Sequence, residues 1–318
     1  MIGSSKNERT LKDHLINEIK RSGYPLEIFI SSILEDNDWV VLNNQPFRDS
    51  DEDKLRSVDI LAFHNPTTYE YKKYEPLGFS PNLIIECKKS ENHAWIFFSR
   101  PEKSKVFRMS GHVHDYPKLF STKAYSNRDK LSNLGHFSYE YYFNYFNDPN
   151  RGMRNVHYSD FDSVAITYDE YKIKKGTRNT RKNILEAVNQ TVKFFLFDLE
   201  ESINSPGRIN GAVSSYYPII VTFLAIVLDG KLFDARIENN NVTLEERKHI
   251  LYNYTFRPRN SYVNIDFWID IVKKEFFSSY LSKIKKDISL ISDKIIFERE
   301  LLLSYLKKDS VVTAHETV

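Results

Sequence analysis

The hydrophobic and polar positions of the N-terminal third follow first one period and then another. Apolar side chains recur at helical spacing over residues 10–21, and a second helical stripe over 26–35 follows the break at Gly23 and Pro25. Three short β-rich runs come next: WVVLNNQPF (39–47), SVDILAFH (57–64) and NLIIECKK (82–89). The pattern therefore predicts two helices and then three strands, with residues 65–82 as a hairpin excursion.

The second half of the chain contains one clear helix and one long apolar run. Residues 184–200 carry apolar side chains on one face, which predicts a helix. Residues 216–237 predict one or two strands, with Asp229-Gly230 as a hairpin turn. Residues 90–160 have no clean period and are expected to form a long insertion. Together these elements predict an α/β fold, with a small mixed β-sheet core flanked by helices.

The C-terminal part is predicted to be a helical extension. In residues 279–308 the apolar side chains alternate spacings of three and four over about eight helical turns. This helix either packs across the domain or forms a coiled-coil contact with a second copy or a partner subunit. We therefore expect one domain over residues 1–240 and a mostly helical extension over 241–318.

Composition points to the cytoplasm and away from membranes. Of the 318 residues, 41% are hydrophobic and 28% charged, which is ordinary for a globular protein. No apolar run reaches the roughly 18 residues that cross a bilayer, and the first residues lack an apolar signal region. The single cysteine, Cys87, excludes an internal disulfide and is typical of a reducing compartment. We expect it to face the core.

The charge of the whole chain identifies no polyanionic partner, because 45 basic residues are balanced by 43 acidic ones. Two segments differ from this average. Residues 100–108 and 172–182 are strongly basic, and the second contains no acid. Such runs either contact phosphates or form solvated loops, and both interpretations stay open.

Two carboxylates interrupt apolar strands. Glu86 lies within the predicted strand 82–89 and Lys88 follows two residues later, so both side chains share one face. Asp59 has apolar neighbours in the preceding strand, 57–64. Unpaired buried carboxylates are costly, and two close together repel each other. A divalent cation between them removes both costs, and a few oxygen ligands with room for water suit Mg²⁺ or Mn²⁺.

A lysine beside such a metal has a chemical role. Its compact ammonium group stabilises an anion, and it orients or deprotonates a water molecule. A metal ion, two acids and a lysine together favour phosphodiester hydrolysis, because the metal lowers the pKa of bound water and neutralises charge on the phosphate. A structural ion pair between Glu86 and Lys88 is the alternative.

At these residues the chain resembles a known nuclease superfamily. Asp59, followed by Glu86-Cys87-Lys88, is similar to the D…(D/E)-x-K signature of the PD-(D/E)XK, or restriction-endonuclease-like, nucleases. Val58 stands where that signature has proline. The resemblance implies an α-β-β-β-α-β core and a further acid on the first core helix, where Glu27 is the candidate. It also implies a glutamine or basic residue on the helix after the E-x-K strand.

The resemblance implies a metal-dependent nuclease that acts on DNA rather than RNA, in restriction, repair or defence against foreign DNA. Asp59, Glu86 and Glu27 would serve the metal, and Lys88 would assist the attacking water. The candidate nucleic-acid contacts are Gln190, Lys193, Arg178, Arg181 and Lys182. A module on the same fold that binds nucleic acid or protein without cutting is the alternative, and a plain α/β scaffold with a chance motif is a third.

Overall fold

The computed structural model describes residues 4–49, 51–64, 77–101, 120–122, 163–173, 177–178, 182–204, 217–239, 241–257, 265–297 and 299–300. Within these ranges the chain has a mixed α/β fold, with four α-helices beside one ten-stranded mixed sheet. None of the helices in the described ranges has the length and apolar character needed to cross a membrane.

Along the chain, two helices come before the first strand, one comes between strands, and one follows the last strand. The helices are α1 (Ser4–Arg21), α2 (Tyr24–Glu35), α3 (Lys182–Asn204) and α4 (Phe277–Phe297). A single turn of 3₁₀-helix, Lys274–Phe276, leads into α4. The sequence predicts the first three helices at nearly these positions.

The strands are β1 (Trp39–Asp49), β2 (Lys54–His64), β3 (Leu77–Pro101), β4 (Phe120–Thr122), β5 (Ser163–Lys172), β6 (Thr177–Arg178), β7 (Tyr217–Glu238), β8 (Asn241–Glu246), β9 (His249–Phe256) and β10 (Ile265–Lys273). β1, β2 and β3 form an antiparallel meander, and β7 runs parallel to β3 on its other side. The predicted excursion over 65–82 is wrong for residues 77–82, which belong to β3. Residues 65–76 lie outside the described ranges.

The strand β3 changes its neighbour along its length. Its first half pairs with β2 and its second half with β5, while β7 stays on the opposite side throughout. The register with β7 shifts between Ser90 and Ala94, where β3 bulges. The pairings then continue from β5 to β9, β10 and back to β7, so they close into a ring.

Helices cover the sheet on two sides, and each side has its own core. The α2/α4 core joins Leu26, Ile30 and Leu34 of α2 to Tyr280, Leu281 and Ile284 of α4, across apolar residues of β2, β3 and β7. The α3 core joins Ile184, Val188 and Val192 of α3 to β7, β9 and β10. Each fully buried aliphatic side chain contributes on the order of 1.5–3 kcal/mol to folding.

The predicted hairpin at Asp229-Gly230 is wrong. β7 runs straight through both residues and stays paired with β3 on either side of them. Glycine is needed here for a different reason, because a Cβ at Gly230 would lie 2.8 Å from the carbonyl oxygen of Ser90. The strands approach closely at this point, and no turn forms.

The predicted helical extension over 241–318 is also wrong for Asn241–Glu246, His249–Phe256 and Ile265–Lys273, which form β8, β9 and β10. These strands belong to the same sheet, since β10 pairs in parallel with β7. Their runs, HILYNYTF and IDFWIDIVK, are β-branched and aromatic, which suits a pleated and half-buried surface. The sheet is therefore larger than the sequence predicts.

Of the two alternatives for the C-terminal helix, packing across the domain is what the structure shows for Leu281, Ile284 and Ile288, which are buried in the α2/α4 core. Residues beyond 300 lie outside the described ranges. So does most of the predicted insertion over 90–160; its first residues, up to Pro101, continue β3, and residues 120–122 form β4.

Candidate functional site

Asp59 lies at an interruption between β1 and β2. The pairing runs through Asn43↔Ile60 and Gln45↔Val58 but omits the position between them, where Asn44 has a φ of 51°. Residues two apart on a regular strand face the same side of the sheet. Here Val58 packs into the α3 core and Ile60 into the α2/α4 core, so they face opposite sides. Asp59 therefore lies where the regular alternation of the strand is broken.

The carboxylate of Asp59 reaches across to β3. The pairing of β2 with β3 extends as far as Ile60↔Ile85, so Asp59 is the next residue beyond the paired segment. Its Oδ2 accepts a hydrogen bond of 2.7 Å from the backbone N–H of Cys87. Asp59 is thereby fixed at the fork where β2 separates from β3, next to Glu86.

Glu86 and Lys88 lie on one face of β3 and form an ion pair when the acid is ionised. Lys88 Nζ donates to Glu86 Oε2 at 2.9 Å. The Glu86 side chain is 0% exposed and that of Lys88 is 27% exposed, so the acid is covered while the ammonium group is reachable from solvent. This is the arrangement expected of two residues that alternate with a core residue on a strand.

Burial dominates the electrostatics of Glu86. It raises the pKa of this carboxyl to about 8; Lys88 opposes that rise and the charge of Asp59 adds to it. The second oxygen, Oε1, is buried and has no hydrogen-bond partner among the described residues. An unsatisfied buried carboxylate oxygen is costly, which marks this atom as a place for a cation or a donor.

Glu27 joins the same site from α2. It lies in the first turn of the helix, which is held against the sheet by a 2.7 Å hydrogen bond from Ser31 to Asn43. Partial burial raises the pKa of Glu27, the charge of Asp59 raises it further, and Lys88 lowers it. The structure thus brings Asp59, Glu86 and Lys88 to one place on β3 and puts Glu27 within electrostatic range of Asp59 and Lys88; the role of Glu27 in binding metal stays a prediction.

A further carboxylate, Glu186 in the first two turns of α3, was not predicted from the sequence. Burial works to lower the pKa of Lys88, but Glu86, Asp59 and, more weakly, Glu186 outweigh it, so the pKa of the ammonium group is raised. Lys88 therefore stays charged among acids that belong to three elements. The spacing of Glu186 four residues before Gln190 was the signal that could have found it.

Gln190 and Lys193 contact the protein itself. The Gln190 side-chain amide donates to the backbone carbonyl of Ser57 in β2. Lys193 Nζ donates to Asp49 at the end of β1 at 2.8 Å, and its side chain is 12% exposed against 1% for that of Asp49. Both residues thus fasten α3 to the sheet, and their predicted contact with nucleic acid stays a prediction.

The basic candidates lie around the start of α3. Arg178 is in β6, which pairs with the end of β5, and Lys182 is the first residue of α3. Arg181 lies outside the described ranges. Cys87 is buried in the α2/α4 core, as predicted, and burial raises the pKa of its thiol well above the usual value, which disfavours a nucleophilic role.

The donor set fits a hydrated divalent cation and not a closed protein cage. No group of three or more His, Cys, Asp or Glu side chains within the described ranges is arranged as a metal site. Asp59 and Glu86 nevertheless offer two carboxylates at one fork, and Glu86 Oε1 lacks a partner among the described residues. Magnesium is commonly held by one or two carboxylates and completed by water and substrate phosphates.

No protein-family model, no curated protein and no solved structure matches the chain.

Proposed function

We propose that the chain is a metal-dependent nuclease that hydrolyses phosphodiester bonds. One observation carries this proposal: Asp59, fixed to the backbone of β3, lies at the same fork as the buried Glu86–Lys88 pair. Two carboxylates and a charged lysine at one partly exposed point suit an anionic substrate only when a cation is also bound. Without the cation the acids would repel a phosphate.

The roles of the residues follow from their contacts. Asp59 and Glu86 would hold Mg²⁺ or Mn²⁺, and Glu27 would support the surrounding water. The metal, when bound, supplies a water of lowered pKa and neutralises charge on the phosphate. Lys88 remains charged and partly exposed, so it stabilises the phosphate and orients the attacking water.

Strand order gives the proposal a second support. The order α2, β1, β2, β3, α3 and β7 agrees with the α-β-β-β-α-β order that the restriction-endonuclease-like resemblance implies, with β4, β5 and β6 added between β3 and α3. We propose DNA as the substrate, with restriction, repair or anti-phage defence as the setting. The basic segment 172–182, which ends at the first residue of α3, supports a polyanionic partner.

The test is cleavage of plasmid DNA, and then of RNA, by the wild type and by Lys88→Ala with Mg²⁺, Mn²⁺ or EDTA. Lys89→Ala is a matched control, because Lys89 is the next residue and contacts Glu91 and the carbonyl of Lys20 instead. We expect metal-dependent cutting by the wild type and Lys89→Ala, and a loss of at least 100-fold in Lys88→Ala. Equal cutting by all three proteins would refute the assigned site.

An inactive wild type would have a different meaning. If neither DNA nor RNA is cut under any metal condition, the non-cleaving binding module becomes the better account. Binding of both nucleic acids should then be measured directly, with and without Mg²⁺.

A further inference from the structure

Four polar residues lie along one face of α3, which crosses four neighbouring strands. Asn183, Glu186, Gln190 and Lys193 follow spacings of three, four and three. Asn183 hydrogen-bonds β5, Gln190 hydrogen-bonds β2 and Lys193 hydrogen-bonds β1. The sheet order is β1-β2-β3-β5, so Glu186, between Asn183 and Gln190, lies over β3, where its charge acts on Lys88.

The contact at the start of this stripe involves a fully buried acid. Glu170 in β5 is 0% exposed, and its Oε1 accepts a hydrogen bond of 2.6 Å from Asn183 Nδ2. Its other oxygen has no hydrogen-bond partner among the described residues. Burying a carboxylate with only one oxygen hydrogen-bonded lowers the stability of the fold. The positive end of the α3 dipole reduces this loss.

This loss of stability has a reason if the hydrogen bond serves to fix the position of the first turn of α3. Asn183 and Glu186 are about one helical turn apart, so a contact that fixes the position of Asn183 also fixes that of Glu186. Glu186 acts electrostatically on Lys88, whose near partner is Glu86. When Glu86 is engaged by a cation, Glu186 remains as a second carboxylate for the ammonium group.

We propose that Glu170 and Asn183 are positioning residues of the site. Their hydrogen bond holds the first turn of α3 and thereby places Glu186 over β3, the strand that carries Lys88. This inference rests on the proposed nuclease function for its consequence in catalysis, but the fixing of the helix turn is independent of that function.

The catalytic test compares two asparagine variants of one helix. Asn183→Ala removes the 2.6 Å bond to Glu170, whereas Asn189→Ala removes a 2.6 Å bond from Tyr254 in β9. We expect kcat to fall at least tenfold in Asn183→Ala with KM within twofold, and Asn189→Ala to match the wild type. Glu186→Gln should lose a similar factor. Glu170→Gln keeps an oxygen acceptor for Asn183 and should retain at least half of kcat.

Equal kcat in Asn183→Ala and Asn189→Ala, or wild-type kcat in Glu186→Gln, would overturn the inference. Hydrogen exchange then separates its failure from that of the proposed function. The backbone amides of residues 184–188 should exchange at least threefold faster in Asn183→Ala than in Asn189→Ala. Unchanged exchange refutes the positioning role whether or not the wild type cuts. Faster exchange with an inactive wild type refutes the nuclease function and leaves the fixed helix turn standing.

Discussion

The carboxylate of Asp59 hydrogen-bonds the backbone N–H of Cys87, 2.7 Å away, at the point where β2 and β3 separate. Along a paired ladder that N–H would face a strand carbonyl. Here the side chain of Asp59 accepts this hydrogen bond instead. The residue proposed to hold a metal therefore also stabilises the point where β2 and β3 separate. Substitutions at Asp59 must therefore be chosen to separate its charge from its hydrogen bond.

Asp59→Asn achieves that separation. The amide oxygen still accepts from Cys87, so we expect the free energy of unfolding to fall by no more than about 1 kcal/mol. Loss of the charge should reduce the affinity for Mn²⁺ at least tenfold. Urea unfolding and calorimetric Mn²⁺ titration measure the two effects. Asp59→Ala, which also loses the hydrogen bond, should be the less stable variant. Unchanged Mn²⁺ affinity in Asp59→Asn would contradict the assignment.

Metal binding should depend on pH through Glu86. Burial raises the pKa of this carboxyl to about 8 in the metal-free protein, so at neutral pH it carries a proton that the cation must displace. We expect apparent Mn²⁺ affinity to rise by up to about tenfold per pH unit from pH 6 to 8 and then level off. Titrations in buffers of different ionisation enthalpy would detect the released proton. An affinity that is flat over this window would argue against Glu86 as a ligand.

The same shift has a consequence for stability. Between the usual pKa of 4.5 and about 8, the folded metal-free protein binds a proton at Glu86 that the unfolded chain has released. The contribution of Glu86 to the free energy of unfolding is therefore fully present below pH 4.5 and is lost as pH rises toward 8. Urea unfolding in EDTA at pH 5 and pH 8, for the wild type and Glu86→Gln, checks the sign: the stability of the wild type relative to the variant should be lower at pH 8.

Lys193→Met tests whether this lysine is an anchor or a phosphate contact. It removes an ammonium group from the nearly buried Asp49, which keeps a 2.8 Å bond from Arg56. We expect a loss of about 1–2 kcal/mol in the free energy of unfolding, because Asp49 is left incompletely paired. The salt dependence of DNA binding should not change. Wild-type stability with weaker DNA binding would instead favour the phosphate contact that the sequence predicts.

Gly230→Ala should destabilise the protein through a backbone clash. The new Cβ would lie 2.8 Å from the carbonyl oxygen of Ser90, and neither strand can move without disturbing its ladder. We expect a cost of about 1–3 kcal/mol in urea unfolding. Gly23→Ala is the control, since its Cβ would lie 3.2 Å from the end of the flexible Glu27 side chain. If both variants are equally stable, the strands are less closely packed here than the structure shows.

Local patterns were enough to predict that Asp59, Glu86 and Lys88 lie close together. Asp59 and Glu86 are each a single acid among apolar neighbours, and the step of two residues from Glu86 to Lys88 already fixes a common face. Their meeting at one fork needed only the order of two consecutive strands. Glu27 required more, because α2 is placed by packing against the sheet and by the bond between Ser31 and Asn43.

The errors arose where distant segments decide the structure. Asp229-Gly230 is a common turn sequence, but its glycine is needed because Ser90, far away in sequence, approaches it closely. The strands after residue 240 were not predicted, because the helical period of 279–308 carries no information about the β-rich runs that precede it. Glu186 was missed because its importance depends on Lys88, and Glu170 because no local pattern marks it as a helix anchor.

The parallel pairing of β3 with β7 joins Leu77 to Tyr217 and Glu86 to Ile226, so the site strand gains this neighbour only from a late part of the chain. Contacts so distant in sequence form slowly and raise the barrier to folding. During synthesis on the ribosome, Glu86 cannot be enclosed until β7 has emerged, by which time most of the polypeptide exists. A nascent or truncated chain would therefore lack the covered acid that the finished protein has.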